Sequence, residues 1–413
     1  MIKSNPFIRA ASSFFCASLF ISLAACSPGG TGGTEPQPSV EPDASEPDAQ
    51  PNYTAALLDE YRAVLPSHDV LDAPEPRSSV NAQIGNAATY PGLAAPQIMA
   101  VNQTLTSIID TLGDITALEP TLYNSETKEF LWGPFDDDDS PMVDDKVLVY
   151  IQDAPEGADF DFQYAFIRYK GNDVADWTPV IWGGVNPDAD EPDTYGNGVL
   201  LYDLEANADF VIANNPAAVR EDLHQGRFAI AYMRQPDDNN ANTDVTAVIS
   251  VFRGFHGPGE PAVDFEQLFG RVENFDDGNT FEFANIETEH NIHEPEASDV
   301  TEDVSVRLAF FNRGIGRAEA LVFGGDLTTA TGESSIAAVE CWDETLARTF
   351  FTLDAEGEIT GGTETISIEA EGDSASCGHF ETSLDDLDIP SLDSIDSDLL
   401  DALSDVAENG LAE

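Results

Sequence analysis

From Lys128 to about residue 370 the apolar residues recur with a period of two, in runs rich in Val, Ile, Phe and Tyr separated by clusters of Gly, Pro, Asn and Asp. That period belongs to strands, whose side chains alternate between two faces. The runs predict strands near 128-135, 146-152, 161-170, 177-184, 198-204, 227-235, 244-255, 279-288, 303-312, 315-324, 334-342, 347-354 and 364-370. Most connections are short, which favours antiparallel neighbours in a meander. A meander of this size must hide its edges by closing on itself or by gaining a second layer. The expected fold is therefore mainly β: a large antiparallel meander, as a curled sheet or a lipocalin-like barrel. A transmembrane barrel is disfavoured, because it needs strands of about 9 to 11 residues with an outward apolar band and most of these runs are shorter.

Before the strands the period is that of a helix. Tyr53 to Leu65 is short and stopped by Pro66, whereas Gln97 to Leu118 places Ile98, Val101, Leu105, Ile108, Leu112 and Ile115 three and four apart. The second stretch is expected to pack against the apolar face of the sheet or to plug it. After the strands, Glu381 to Glu413 is acidic, yet Leu392, Ile395, Leu399, Leu403 and Val406 again fall three and four apart. This tail has three open outcomes: a docked helix, a partner-binding segment, or a disordered end.

The N-terminus carries a different signal. Lys3 and Arg9 precede an apolar run from Ala10 to Ala25, closed by Leu23-Ala24-Ala25-Cys26. The run is too short and too interrupted by serines to span a bilayer, which takes about 20 apolar residues. It reads as a signal peptide with a lipobox, in which Cys26 is the lipid attachment site for a diacylglyceryl group and palmitate-type chains. More than one chain makes such an anchor stable. Bacterial lipoproteins held in the inner membrane usually carry Asp after this Cys; here the position is Ser27, which points to the outer membrane, periplasmic or surface-exposed. Residues 27–52 alternate Pro with acids and lack apolar periodicity, so they form a tether without a core. The expected division is signal peptide 1–25, lipidated Cys and tether 26–52, helical segment 53–125, β domain 126–380 and acidic tail 381–413.

With 77 acidic against 17 basic residues, the chain has a net charge of −60. That field repels nucleic acid and anionic lipid surfaces, leaving the lipid anchor as the expected membrane contact. Lysine occurs only at 3, 128, 146 and 170. Acidity with few lysines suits a halophilic setting, where salt screens self-repulsion. Cys16 leaves with the signal and Cys26 is acylated, so Cys341 and Cys377 remain. In an oxidising envelope they are expected to form a disulfide, with two buried free thiols as the alternative.

Familiar catalytic signatures are missing: no Gly-x-Ser-x-Gly elbow, no His-Glu-x-x-His, no phosphate loop and no Cys-x-x-Cys. His290 and His293 have metal-ligand spacing but stand after a strand and before Pro295, so loop positions are expected and no metal is assigned. Asp238, Asn240, Asn242 and Asp244 have the alternate spacing of a calcium loop, but Thr243 occupies the position of its sharp-turn Gly. In a simple meander the acidic loops 153-160, 185-194, 236-244 and 291-302 would gather at one end. Trp132-Gly-Pro, Trp177, Trp182-Gly-Gly and Tyr195-Gly-Asn-Gly-Val mix aromatics with glycines. They fit a packed sheet, or an inward face lining a cavity.

Phe130-Leu-Trp-Gly-Pro134, Gly196-Asn-Gly-Val-Leu-Leu-Tyr-Asp203, Glu340-Cys-Trp-Asp343 with Arg348, and Cys377-Gly378 resemble a group of uncharacterised secreted lipoproteins of myxobacteria and related deltaproteobacteria. The likeness spans roughly residues 90 to 380. It implies one β-rich domain and a Cys341–Cys377 pairing; the acidic tail and the depth of charge depart from it. The group has no assigned activity and passes on no catalytic residues and no cofactor. The expected function is a lipid-anchored envelope protein whose non-enzymatic β domain is structural or binds an apolar small molecule or a partner protein. Alternatives are a metal-dependent hydrolase using acidic loop residues and an adhesin-like surface module.

Overall fold

In the computed structural model, the described residues are 84–85, 87–91, 94, 101, 115, 118–124, 128–136, 146–153, 160–170, 177–187, 196–237, 240–259, 262–274, 279–290, 300–312, 314–325, 335–356, 367–387, 389–395 and 397–410. Their strands are β1 (Leu122–Asn124), β2 (Glu129–Asp136), β3 (Lys146–Asp153), β4 (Phe162–Tyr169), β5 (Thr178–Pro187), β6 (Gly196–Asp203), β7 (Gln225–Asp237), β8 (Asn240–His256), β9 (Val263–Asn274), β10 (Asn279–His290), β11 (Glu302–Phe311), β12 (Gly316–Phe323), β13 (Ser335–Trp342), β14 (Arg348–Glu356) and β15 (Ser367–Gly372). Each pairs antiparallel with its sequence neighbours, giving one fifteen-stranded meander in chain order. Among the described residues β1 pairs only with β2 and β15 only with β14, so the sheet is open and the barrel alternative is not adopted.

Two strands escape the sequence pattern. β1 has three residues, too few to show a period. β9 is twelve residues long, but its alternation is broken because Gln267 and Arg271 occupy the positions in register with Ser250 and Thr246 of β8, on a buried face. The extra strand changes the expected arrangement of loops after it. The β3–β4, β5–β6 and β7–β8 connections share one end, as expected, but residues 291–301 join β10 to β11 at the opposite end.

The register sorts side chains onto two faces. One, the helix-side face, carries Phe130, Trp132, Val149, Ile151, Phe166, Ile230 and Phe252 in an apolar cluster with Val101 and Ile115, two helical residues of the stretch expected to pack there. The same face continues through Ile286, Leu308, Ala320, Ile336 and Leu353, joined by Tyr90 and Ala94. The remainder of residues 97–118, apart from Leu118, lies outside the described residues, as do the 53–65 stretch and Cys26.

From β6 to β14 the opposite face is covered by the C-terminal segment, here termed the belt, while over β3–β5 it carries a separate cluster of Leu148, Ala165, Ile167 and Tyr169. A 3-10 turn at Ser374–Phe380, the chain after it and helix α2 (Ser397–Asn409) pack Phe380, Leu384, Leu392, Leu403 and Ala407 onto Leu201, Ile249, Val251, Leu268 and Phe283. Of the three outcomes open to the tail, the structure adopts the docked helix, though Leu399 is exposed and Leu400 is partly buried against the sheet in its place. A further helix, α1 (Leu204–Asn214), follows β6; the Asp203 carboxylate caps it by accepting from Ala206 N at 2.8 Å.

A candidate binding interior

The arginines of the helix-side face come first, because they set its charge. Near the end shared by the β7–β8 and β9–β10 turns, Arg234 Nη2 donates to Asp244 at 2.8 Å, and Arg271 lies 3.1 Å from Glu273 and 3.8 Å from Glu282. Asp244 is therefore a buried member of β8 engaged by an arginine, which removes it from the calcium-loop pattern. Further along the same end, Arg348 Nε pairs with Glu340, and both are nearly inaccessible. The Glu340 carboxylate also accepts from the backbone N–H groups of Thr89 and Tyr90, at 2.8 to 2.9 Å, and Arg348 Nη2 reaches Thr89 Oγ1 at 2.6 Å. This four-way contact seats the start of a helical turn on the sheet, with the carboxylate where helix N–H groups lack partners.

Away from that end the face holds neutral polar groups. Ser250 on β8 lies directly across from Gln267 on β9, and both are 0% exposed. Neither the Ser250 hydroxyl nor either end of the Gln267 amide has a hydrogen-bond partner among the described residues. Phe265 on one side of Gln267 belongs to the first apolar cluster and Phe269 on the other side to the second, so the amide sits at their seam. An unsatisfied buried polar group costs about 1 to 3 kcal/mol. Buried polar groups in folded proteins are nearly always paired, and each exception calls for an explanation. The register gives Ser250 only Ile230 and Gln267 as cross-strand neighbours.

Tyr232 completes the set. Its ring leans over Gly198, where an added Cβ would come within 2.3 Å of the hydroxyl, and that hydroxyl is also buried without a described partner. Burial, reinforced by nearby Tyr164, raises the Tyr232 pKa well above its ordinary value, and burial raises Tyr202 to about 12 against the opposing pull of Arg168. The phenols are therefore neutral. Tyr164 lies over Gly183 in the same manner, within 2.1 Å of an added Cβ. Gly183, Gly184 and Gly198, which the sequence grouped with aromatics, thus admit the rings of Tyr164, Phe160 and Tyr232, which is the packing reading of those two motifs.

Cys341 and Cys377 are joined, with an S–S distance of 2.10 Å, and both are fully buried beneath the belt. His290 is the last residue of β10 rather than a loop residue, and His293 lies outside the described residues. Among the described residues no three acidic, histidine or cysteine side chains form a group able to hold a metal. No sequence signal marks Gln267 as a site except the interruption it makes in the pattern of β9. Comparisons with family models, with curated proteins and with solved structures find no match to this chain.

Proposed function

We propose that this chain is an exported protein, anchored through lipid on Cys26 to the outer membrane, whose non-enzymatic β domain binds a small, mostly apolar molecule against the helix-side face. The observation that carries the binding reading is the fully buried Gln267 amide beside the Ser250 hydroxyl, both without a described partner in an apolar surround. Ligand pockets have this chemistry: apolar walls and a few convergent polar groups that fix orientation. The Cys341–Cys377 disulfide supports an oxidising compartment, and the −60 charge favours neither nucleic acid nor an anionic membrane surface as partner.

Native mass spectrometry of the mature chain, purified in high salt without detergent, tests the binding reading. A co-purifying organic molecule of defined mass is expected; a bare chain that also takes up no added amphiphile would refute it. The anchor is tested separately by labelled palmitate, which should enter the protein and be lost in Cys26→Ser. Incorporation that persists in that variant would overturn the attachment site.

A further inference from the structure

We infer that the interior around Ser250 and Gln267 selects an uncharged amphiphile, one whose head is an amide or hydroxyl, over an ionised fatty acid. The inference rests on the reading of this face as a ligand site and adds the chemistry of the ligand's polar end.

The first support is the kind of group left open. The Gln267 amide offers two N–H donors and a carbonyl acceptor, and Ser250 directly opposite offers one donor and an acceptor. A head group that both donates and accepts can satisfy this pair. A carboxylate only accepts, so it would leave the Gln267 carbonyl facing negative charge.

The second support is the disposition of charge on the same face. Three of its arginines are matched to acids, Arg234 to Asp244, Arg271 to Glu273 and Glu282, and Arg348 to Glu340, and the fourth, Arg168, donates to Asn207 beside the Phe210 ring, several strands away from β9. The acids in these pairs outnumber the arginines. They also sit toward one end, with the row of Val248 and Phe269 between Thr246–Arg271 and Ser250–Gln267. An ionised ligand at Gln267 would therefore leave water without gaining a counter-ion, and burial of an unpaired charge is far costlier than burial of a neutral hydrogen-bonding group. The residues flanking Gln267 along its strand and across it, Phe265, Phe269 and Ile286, offer apolar contact for a hydrocarbon body.

The test compares a primary fatty amide with the fatty acid of the same chain length, medium and long, by equilibrium dialysis against the mature chain at pH 8 in high salt. The amide should bind at least about tenfold tighter than the acid, a factor in the range that one matched or mismatched buried polar contact supplies. Gln267→Leu should lose about tenfold in amide affinity while its melting temperature rises, because the variant removes a buried amide that has no partner among the described residues; Ser250→Ala should lose less. Acid binding equal to or tighter than amide binding would overturn the inference and leave an interior ligand site standing. Amide affinity unchanged in a folded Gln267→Leu would overturn it too. If neither probe binds, the inference falls together with the proposed function, and the open polar atoms are served by ordered water alone.

Discussion

Both faces of the sheet bury apolar side chains, but they treat their polar groups differently. Under the belt, polar side chains reach the covering chain: Asn285 accepts from Leu392 N at 2.8 Å, Glu319 accepts from Leu384 N at 3.1 Å, and Arg307 and Arg317 donate to the carbonyls of Ile389 and Phe380. Arg253 adds Ser404, and Arg227 adds the carbonyl of Glu408. On the helix-side face the arginines and acids near one end pair with each other, whereas Ser250, Gln267 and Tyr232 have buried hydrogen-bonding atoms without a partner among the described residues. A cover that meets polar groups with its own backbone is built to stay in place. A face that leaves them open at full burial gives up stability that a ligand can return, the kind of local inconsistency expected where function resides.

The largest effect should come from breaking a matched pair. Glu340→Ala strands the buried Arg348 and frees the N–H groups of Thr89 and Tyr90. A loss of about 3 to 5 kcal/mol is expected in urea unfolding, and a loss below about 1 kcal/mol would mean that the clamp does little. On the other face, Cys341→Ser opens a loop of sequence separation 36 and should cost about 3 to 4 kcal/mol. Limited proteolysis of that variant should cut first within the belt. Cleavage that begins elsewhere would contradict the disulfide's role in pinning it.

The third prediction runs in the opposite direction. Gln267→Leu, free of ligand, should gain about 1 kcal/mol, measured by the same unfolding titration. A destabilisation of that size would show that the amide is paired in the folded protein and would erase the contrast between the faces.

The smallest effect concerns the belt turn at Leu392–Ser394. Glu287 lies across from Glu266 and near Asp393, and burial, followed by those two carboxylates, raises its pKa above the ordinary 4.5. A carboxyl whose folded pKa is raised adds stability that is complete below the unfolded value and lost as pH rises through the folded one. Hydrogen exchange at Leu392 N–H should therefore slow as pH falls toward that window, after correction for intrinsic rates. Added salt should act in the same sense by screening. Glu287→Gln should abolish the pH response and stabilise the turn by a few tenths of a kcal/mol. A response that survives this substitution would assign it to another group.

Much of the fold was legible from the sequence because burial on one or both faces writes a period into a strand. Most strands fall within a few residues of the runs from Lys128 onward, and Val101 and Ile115 of the Gln97–Leu118 stripe lie in the core as its spacing implies. β9 was not legible for the reason that makes it interesting: Gln267 and Arg271 stand where apolar residues would have declared a strand. Its omission carried a second error, since one uncounted strand moves every later loop to the other end of the sheet. In α2 the apolar stripe was read correctly as a whole, but Leu399 points outward and Ala407 inward, because the sheet's surface sets which side of the stripe is covered.

By itself, then, the sequence determined the β class, the meander and Cys341–Cys377 as the expected pair. Each follows from local periodicity, short loops or counting. Only the tertiary structure decided that the sheet remains open, that the acidic tail becomes the cover of one face, and that Ser250 and Gln267 meet between two apolar clusters. Those outcomes depend on strand register and on contacts between residues far apart in the chain, such as Leu392 with Asn285 or Thr89 with Glu340. No local pattern encodes them, since a side chain's partner across a sheet is set by every strand counted between the two.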